Sequence, residues 1–282
     1  MKSVALFLRE IRIEHTLFAL PFAYVGAILA ARGIPSLAAL GWITLAVLGA
    51  RTAAMSANRF FDREIDARNP RTARRALASG ALKPGVMVWS GLAGLGLLFV
   101  AAWMLNPLCV KLLPIAILLV LTYPLCKRFT WGTHFVLGAV DGLAPLGAYV
   151  GIAGRVTLPA ILLFAAVTIW VAGFDIIYAL MDLGVDRAQG IRSLPVRFGE
   201  GSGRVLPILL HGVMLLLLAG AGMLAGAGRT YYLGVAAVAV LIVYEEYLFR
   251  SGANLFVINE RIFISNMTFS VFFLLTTVGG YV

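Results

Sequence analysis

Nine long apolar stretches follow one another along the chain, and this feature constrains the fold most strongly. The stretches lie near residues 15–31, 37–57, 85–105, 108–126, 133–153, 158–180, 205–226, 231–249 and 262–281. A transmembrane α-helix needs about 20 predominantly apolar residues, so the pattern predicts an all-α polytopic membrane protein with nine transmembrane helices. The break between the third and fourth stretches, Asn106-Pro107, is short. Eight spans is therefore the main competing count.

The composition agrees with a membrane protein and excludes other classes. Hydrophobic residues make up 61% of the 282 residues and charged residues only 13%, whereas a soluble domain is about 45–50% apolar and about 25% charged. An ordinary soluble domain, a disordered chain and a coiled coil are thereby excluded. Although the net charge is +10, too little soluble surface exists to hold a basic patch, so we expect membrane lipid, and no nucleic acid, as a partner. No linker divides residues 1–282, which we interpret as one domain of unknown oligomeric state.

The basic residues are unequally distributed between the two sets of loops that nine crossings define. The set that consists of the N-terminus and residues 58–84, 127–132, 181–204 and 250–261 carries 18 Lys and Arg, against 4 in the opposite set. Cytoplasmic loops of membrane proteins carry an excess of Lys and Arg. The distribution therefore predicts a cytoplasmic N-terminus and an external C-terminus, in the inner membrane if the organism is a bacterium.

Five of the 13 acidic residues are aspartates in two short segments. The first segment, with Asn58, Asp62 and Asp66, follows the second span at steps of four residues. The second is 175–186, at the end of the sixth span, and it contains Asp175, Tyr178, Asp182 and Asp186 at steps of three, four and four. Such steps place side chains on one face of a helix. Four crossings separate the segments, so both acidic faces are expected on the cytoplasmic side.

Two opposed carboxylate faces near a bilayer would repel each other unless a cation lay between them. Mg²⁺ prefers oxygen ligands and is usually held by a few carboxylates together with substrate phosphates. The spacing therefore favours a site that clamps a diphosphate through Mg²⁺, with nearby basic residues taking the remaining phosphate charge. The candidate metal ligands are Asn58, Asp62, Asp66, Asp182 and Asp186. The candidate phosphate-binding residues are Arg63, Arg71, Lys127, Arg128 and Arg192, with Arg68 and Arg75 nearby.

At these residues the sequence resembles the UbiA superfamily of intramembrane prenyltransferases. The family's first motif, N-x-x-x-D-x-x-x-D, matches Asn58 to Asp66, and its second, D-x-x-Y-A-x-x-D-x-x-x-D, matches Asp175 to Asp186. The segment from Tyr123 to Thr130 is similar to the family's cytoplasmic loop after the fourth span. Within the family, the chain is most similar to the 4-hydroxybenzoate polyprenyltransferases of quinone biosynthesis and their menaquinone-pathway relatives.

The resemblance implies a ring of nine helices around a central cavity, capped by cytoplasmic loops. It implies that Mg²⁺ bridges both motifs to the diphosphate of a polyprenyl donor. It also implies that a carbon of an aromatic acid, 4-hydroxybenzoate or a related hydroxynaphthoate, attacks the resulting allylic cation in a water-poor cavity. The catalytic residues would be Asp62, Asp66, Asp175, Tyr178, Asp182 and Asp186.

Four further residues are candidates for binding the acceptor. Arg51 lies two helical turns before Asn58 and could bind the acceptor's carboxylate or pair with an acid. Asp141 is an acid within the fifth span, where an ionisable group is a functional candidate by default, although it could form an ion pair with Arg51. The other two candidates are His15 and Tyr123.

His134 and His211 lie near span starts and are expected to be interfacial or packed rather than functional.

Two other interpretations of the function remain open at this point. A membrane transporter would also use intramembrane acids, but its ionisable groups are expected near the bilayer midplane. A prenyltransferase that uses another acceptor would share the same two acidic motifs.

Overall fold

The computed structural model describes residues 2–11 and 16–281, with side chains for residues 6–11 and 18–281. These ranges contain twelve α-helices and no β-strand. The helices are α1 (Lys2–Glu10), α2 (Thr16–Ala31), α3 (Leu37–Arg68), α4 (Pro84–Leu105), α5 (Pro107–Cys126), α6 (Thr133–Ala153), α7 (Leu158–Ala179), α8 (Leu183–Ala188), α9 (Leu194–Phe198), α10 (Ser202–Ala225), α11 (Arg229–Arg250) and α12 (Leu255–Val278).

Eight helices in the described ranges are long and apolar enough to cross a membrane, namely α3 to α7 and α10 to α12. The ninth predicted span corresponds to α2, which has 16 residues and an apolar stretch over Phe18–Ala31. The prediction of an all-helical polytopic membrane protein is therefore confirmed. The count of nine crossings stays a prediction because α2 is shorter than the other eight helices.

The weak break at Asn106-Pro107 is a true helix boundary. The Asn106 side chain caps α5, because its Oδ1 accepts from the amides of Leu108 at 2.9 Å and Cys109 at 3.1 Å. Its Nδ2 donates to the carbonyls of Val150 and Gly151 on α6, at 2.8 and 2.9 Å. Capping satisfies amides that the first turn of a helix leaves without partners, so one asparagine both separates α4 from α5 and fastens the break to α6.

The first acidic segment is helical, as predicted. Helix α3 has 32 residues and continues beyond the predicted span to Arg68. Its last three turns carry Asn58, Asp62 and Asp66, and both aspartates are buried.

The second acidic segment differs from the prediction. Helix α7 ends at Ala179, and a 3₁₀ turn, Leu180–Asp182, precedes α8. The expectation that Asp175, Tyr178, Asp182 and Asp186 share one continuous α-helical face is therefore wrong. A 3₁₀ turn has about 3.0 residues per turn instead of 3.6, so the later residues are rotated relative to an α-helical continuation.

Most long helices pack against their neighbours in the sequence, and α2 also packs against α6 and α12. Glycine permits the closest approaches, as expected where membrane helices touch. A Cβ on Gly138 of α6 would lie 2.1 Å from the carbonyl oxygen of Thr168 on α7, and one on Gly94 of α4 would lie 2.7 Å from that of Gly49 on α3. A larger side chain at Gly138 or Gly94 would force these backbones apart.

Polar segments meet at one end of the helix bundle. The Glu10 carboxylate at the end of α1 accepts from the amide of Ala76, at 2.8 Å. The backbone carbonyl of Glu10 accepts from the Arg59 guanidinium on α3, at 2.9 Å. Helix α1 is thereby joined to the last turns of α3 and to the loop that follows them, at the end that carries both acidic segments.

Candidate active site

A cavity of about 330 Å³ lies between the acidic end of α3 and the end of α7. Its lining is charged at one end and largely apolar at the other. The charged lining near the ends of α3 and α7 includes Asp62, Asp66, Arg71, Arg75, Lys127, Asp175, Asp182, Asp186 and Arg192, and the apolar lining includes Phe18, Leu137, Val171, Phe174, Ile262 and Phe263. Arg51, Arg59 and Asp141 also line the cavity. All five aspartates of the two segments line this cavity. The structure thus brings together the two segments that the sequence separates by more than a hundred residues.

In the first segment, each aspartate is held by a basic side chain from a different part of the chain. Asp62 Oδ2 accepts from Lys127 Nζ, just after α5, at 2.6 Å, and from Asn58 Nδ2 at 3.1 Å. Both oxygens of Asp66 lie 2.7 Å from Nη1 of Arg75. These ion pairs offset the cost of placing carboxylates at a membrane edge.

Asp182, in the second segment, is bound by the loop that follows α3. Arg71 donates to both of its carboxylate oxygens, and Asn69 Nδ2 donates to Oδ1 at 2.9 Å. Burial works against the charged form of Arg71, but the hydrogen bonds to Asp182 and the nearby charges outweigh it and raise the pKa of Arg71. The same guanidinium lies over the Tyr178 ring, 5.4 Å from its centroid. The two acidic segments are therefore joined through one basic loop.

The chemistry of this donor set fits a hard divalent cation. Asn58, Asp62, Asp66, Asp182 and Asp186 supply the oxygen ligands that Mg²⁺ prefers. Asp62 Oδ1 is buried and accepts no hydrogen bond within the described part of the chain. Among the described residues, however, no three His, Cys, Asp or Glu side chains converge as a ready-made metal-binding group. The carboxylates with the right chemistry for Mg²⁺ are arranged here largely as ion pairs with basic side chains.

The five predicted phosphate-binding residues fall into two groups. Arg71, Lys127 and Arg192 line the cavity, whereas Arg63 and Arg128 are not part of its lining. Arg63 donates to the carbonyl of Phe60 at 2.9 Å, and Arg128 donates to that of Phe61 at 2.6 Å. Sequence proximity to the motif did not distinguish the two groups. Arg59 and Arg75 also line the cavity, and neither is among the five predicted residues.

The deeper candidates also line the cavity, and they are paired. Arg51 Nη1 lies 3.1 Å from Asp141 Oδ1, so the ion pair that the sequence allowed is present. Tyr123 lines the cavity and donates its hydroxyl to the carbonyl of Ala54, at 3.2 Å. His15 lies outside the described residues.

Several lining residues gave no signal in the sequence. His134, which was expected to be interfacial or packed, lines the cavity, and its Nδ1 lies 2.7 Å from Asp175 Oδ2. Helix α12 contributes Asn259, Phe263 and Asn266. A single histidine or asparagine within an apolar stretch carries no spacing pattern, so only the packing of helices could identify these residues.

Comparison with known proteins gives one consistent result. Residues 19–266 match the UbiA prenyltransferase family. The 4-hydroxybenzoate octaprenyltransferase of Alkalilimnicola ehrlichii is 35% identical over 229 residues, which cover 80% of this chain and 76% of that protein.

Solved structures agree with this match. The apo structure of a UbiA homolog from Aeropyrum pernix K1 has a TM-score of 0.85 and 32% identity, and the alignment covers 95% of this chain and 98% of that one. A UbiA homolog from Archaeoglobus fulgidus bound to GPP and Mg²⁺ has a TM-score of 0.71 at 19% identity, with coverage of 97% and 99%. The second likeness concerns the fold alone.

Proposed function

The chain belongs to the UbiA prenyltransferase family and is a prenyltransferase, and on this premise we propose its donor, its acceptor and its site. The donor is a polyprenyl diphosphate. The acceptor is an aromatic acid of quinone biosynthesis, 4-hydroxybenzoate or a related hydroxynaphthoate. The names of relatives at about 35% identity support the 4-hydroxybenzoate assignment.

The observation that carries this proposal is the two-ended cavity. Its charged end suits a diphosphate, and its apolar end suits an isoprenoid tail and an aromatic ring. A polyprenyl diphosphate has this same division into a charged head and an apolar chain. One cavity therefore complements the charged head of the donor and the start of its apolar chain.

The charged end would bind the diphosphate through two kinds of residue. Asn58, Asp62, Asp66, Asp182 and Asp186 are the proposed Mg²⁺ ligands. Bound Mg²⁺ would stabilise the negative charge that develops on the departing diphosphate. Arg71, Lys127 and Arg192 would donate to the phosphate oxygens. Because Arg71 and Lys127 now hold Asp182 and Asp62, their charges are already close to where the diphosphate would bind.

The apolar end would protect the reactive allylic carbon. Phe18, Phe174 and Phe263 line it, and such a lining excludes the water that would otherwise capture a carbocation. We also propose that residues 1–282 form one domain with nine transmembrane helices around this cavity. Polar loops would cap the cavity on the cytoplasmic side, with the N-terminus inside and the C-terminus outside the membrane that supplies the lipid-soluble donor.

The acceptor would bind between the two ends. Arg51 would contact its carboxylate and Asp141 would hold Arg51 in place, because their ion pair lies at 3.1 Å on the cavity wall. Tyr123 and Tyr178 line the same region. His15 remains a candidate from the sequence.

The direct test is prenyl transfer by the purified protein. The protein in detergent is incubated with Mg²⁺, a radiolabelled polyprenyl diphosphate and, separately, 4-hydroxybenzoate, a dihydroxynaphthoate and benzoate. We expect a labelled, lipid-soluble product with at least one hydroxylated acid and none with benzoate. If no acid in the panel yields product, the proposed acceptor class is wrong.

Matched variants test the proposed site. Asp62→Asn and Asp182→Asn should abolish transfer, because each removes a carboxylate from the cavity. Glu64→Gln is the control, since this carboxylate lies two residues from Asp62 and its side chain is 73% exposed. Equal activity in Asp62→Asn and Glu64→Gln would contradict the assignment.

A transporter is the less favoured alternative. Two observations favour the enzyme: the family match over residues 19–266, and the location of both acidic segments at one end of the helix bundle rather than in its middle. Uptake of diphosphate into proteoliposomes without any product would reverse this preference.

A further inference from the structure

A histidine that belongs to neither acidic motif connects two parts of the cavity wall. His134 lies at the start of α6 and its side chain is only 2% exposed, whereas that of Asp175 on α7 is 27% exposed. Its Nδ1 is 2.7 Å from Asp175 Oδ2. Its Nε2 is 3.2 Å from the backbone nitrogen of Leu194, the first residue of α9. Both ring nitrogens of His134 thus have a partner.

The partners determine where the imidazole proton lies. A backbone N–H can only donate, so Nε2 accepts from Leu194 and carries no proton. A neutral imidazole then carries its single proton on Nδ1 and donates it to Asp175. An imidazolium would present a donor to the Leu194 amide and is incompatible with this contact. His134 Nδ1 therefore donates to Asp175 Oδ2, and this hydrogen bond fixes the orientation of the carboxylate.

The second oxygen of Asp175 is available to a ligand. Its Oδ1 makes no hydrogen bond within the described ranges, and the residue lines the cavity between Phe174 and Tyr178. Asp175 precedes Asp182 by seven residues, which span the last turn of α7 and the 3₁₀ turn that follows it. An acceptor ring placed just beyond the diphosphate would meet this carboxylate.

We propose that His134 is a positioning residue that fixes Asp175 as the hydrogen-bond acceptor for the hydroxyl group of the aromatic substrate. The proposal rests on the proposed function, and it names the part of the site that selects hydroxylated acids. The hydroxyl donates to Asp175 Oδ1, while His134 prevents the carboxylate from turning toward the basic residues of the diphosphate end. Such a hydrogen bond also raises the electron density of the ring that reacts.

The same histidine joins Asp175 to the segment before α9. Ile191, Arg192 and Ser193 line the cavity, and Leu194 follows them directly. The Arg192 amide also donates to the carbonyl of Lys127, at 2.7 Å. The position of Asp175, the proposed partner of the acceptor's hydroxyl, is therefore linked to the segment that carries Arg192, a proposed phosphate-binding residue.

Binding of two ligands that differ by one hydroxyl tests the proposal without requiring turnover. The affinities of the wild-type protein for 4-hydroxybenzoate and benzoate are measured by calorimetry in detergent. Since the lost bond is made to a charged group, we expect a preference of about ten-fold or more for 4-hydroxybenzoate. Asp175→Asn, which presents an amide to the cavity, and His134→Gln should both lose this preference.

His134→Asn is the conservative variant. The asparagine amide can replace the Nδ1 donor to Asp175 but cannot reach Leu194, whereas the longer glutamine side chain reaches toward Leu194 instead. We expect His134→Asn to retain most of the preference and His134→Gln to lose it. In turnover assays, His134→Gln should raise the KM for the acid and leave the KM for the prenyl diphosphate unchanged.

The outcomes separate this proposal from the proposed function. If wild-type protein transfers prenyl groups but His134→Gln and Asp175→Asn keep the full hydroxyl preference, the role of His134 is overturned and the proposed function stands. If the wild type binds neither acid, the proposed function fails and this proposal fails with it. A role of His134 in folding alone would lower stability in all three variants without changing the preference.

Discussion

The protein contains two histidine–carboxylate pairs of nearly equal length in very different surroundings. His134 and Asp175 are 2.7 Å apart at the cavity wall, and the aspartate side chain is 27% exposed. His211 on α10 and Glu245 on α11 are 2.8 Å apart and are sealed, with exposed fractions of 0% and 2%. The distance between imidazole and carboxylate alone would suggest that the two pairs have the same role.

The second ring nitrogen distinguishes them. In the cavity pair, Nε2 of His134 accepts from the Leu194 amide, at 3.2 Å. In the sealed pair, Nε2 of His211 lies 3.3 Å from the carbonyl oxygen of Trp170 and must donate to it. His211 therefore has its proton on Nε2, and the bond to Glu245 needs a further proton, carried either by the imidazole or by the carboxyl group.

The two pairs consequently differ in which ring nitrogen donates and to what. In the cavity pair, Nδ1 of His134 donates to the carboxylate of Asp175, which lines the cavity. In the sealed pair, Nε2 of His211 donates to a backbone carbonyl, and both side chains are buried among helices. The comparison teaches that the partner of the second ring nitrogen, and not the distance within the pair, distinguishes the two histidines.

The largest expected effect comes from breaking the sealed pair. His211→Ala and Glu245→Ala each leave a buried polar group without its partner, which costs about 3–5 kcal/mol in comparable buried pairs. Thermal unfolding in detergent, followed by tryptophan fluorescence, would measure this. Glu246→Ala is the matched control, because that neighbouring carboxylate is 34% exposed and pairs with Arg250 near the end of α11. Equal melting temperatures for Glu245→Ala and Glu246→Ala would remove the distinction between sealed and exposed pairs.

A smaller effect is expected from crowding the sealed histidine. A Cβ on Gly173 of α7 would lie 2.5 Å from His211 Nε2. Gly173→Ala should therefore displace the imidazole and cost about 1–3 kcal/mol, which is typical of overpacking. Gly147→Ala on α6 is the control, since a Cβ there meets nothing within 4 Å. The two variants unfolding at the same temperature would argue against tight packing around His211.

Replacing both members of a pair sharpens the comparison further. The double variant His211→Leu/Glu245→Met should stay within about 1 kcal/mol of the wild type and be more stable than either alanine variant, because it leaves no polar group unpaired. The same exchange at His134 and Asp175 should instead remove the preference for hydroxylated acids. The first result is checked by thermal unfolding and the second by ligand binding. If His211→Leu/Glu245→Met were as unstable as His211→Ala or Glu245→Ala, the role of the sealed pair would not be limited to packing.

The smallest effect is expected for an ion pair on the surface. Glu200 and Arg204 are 3.1 Å apart, four residues from each other at the start of α10, and their side chains are 57% and 54% exposed. Glu200→Ala should change stability by only about 0.3–0.5 kcal/mol, as is typical of such pairs. Unfolding measured at low and high salt would check this. A loss as large as that of Glu245→Ala would show that burial does not govern the strength of these pairs.

The sequence predicted much of the fold because hydropathy is a local property. The nine apolar stretches correspond to α2 to α7 and α10 to α12, and the weak break at Asn106 is a capped helix boundary. The 3₁₀ turn at Leu180–Asp182 was not predicted. The spacing of the second segment is compatible with a continuous α-helix. In the folded chain, Asp182, the last residue of the 3₁₀ turn, contacts Asn69 and Arg71, which are distant in the sequence.

The site was predicted in part for the same reason. Regular spacing indicated five of the aspartates that line the cavity. The basic residues could be predicted only from their proximity to the acidic motifs in the sequence. The predicted set therefore included Arg63 and Arg128, although neither lines the cavity. Which arginine side chain reaches inward depends on the path of the loop after α3, and that path has no periodic signature.

By itself, the sequence determined that the chain is a helical membrane protein with two acidic segments suited to a metal and a diphosphate. Composition and spacing carry that information because they depend on residues close together in the chain. The tertiary structure alone decided the roles of the two histidines. Leu194 is 60 residues from His134, and Trp170 is 41 residues from His211. The location of an imidazole proton is set by such distant partners, so it exists as a property of the folded chain only.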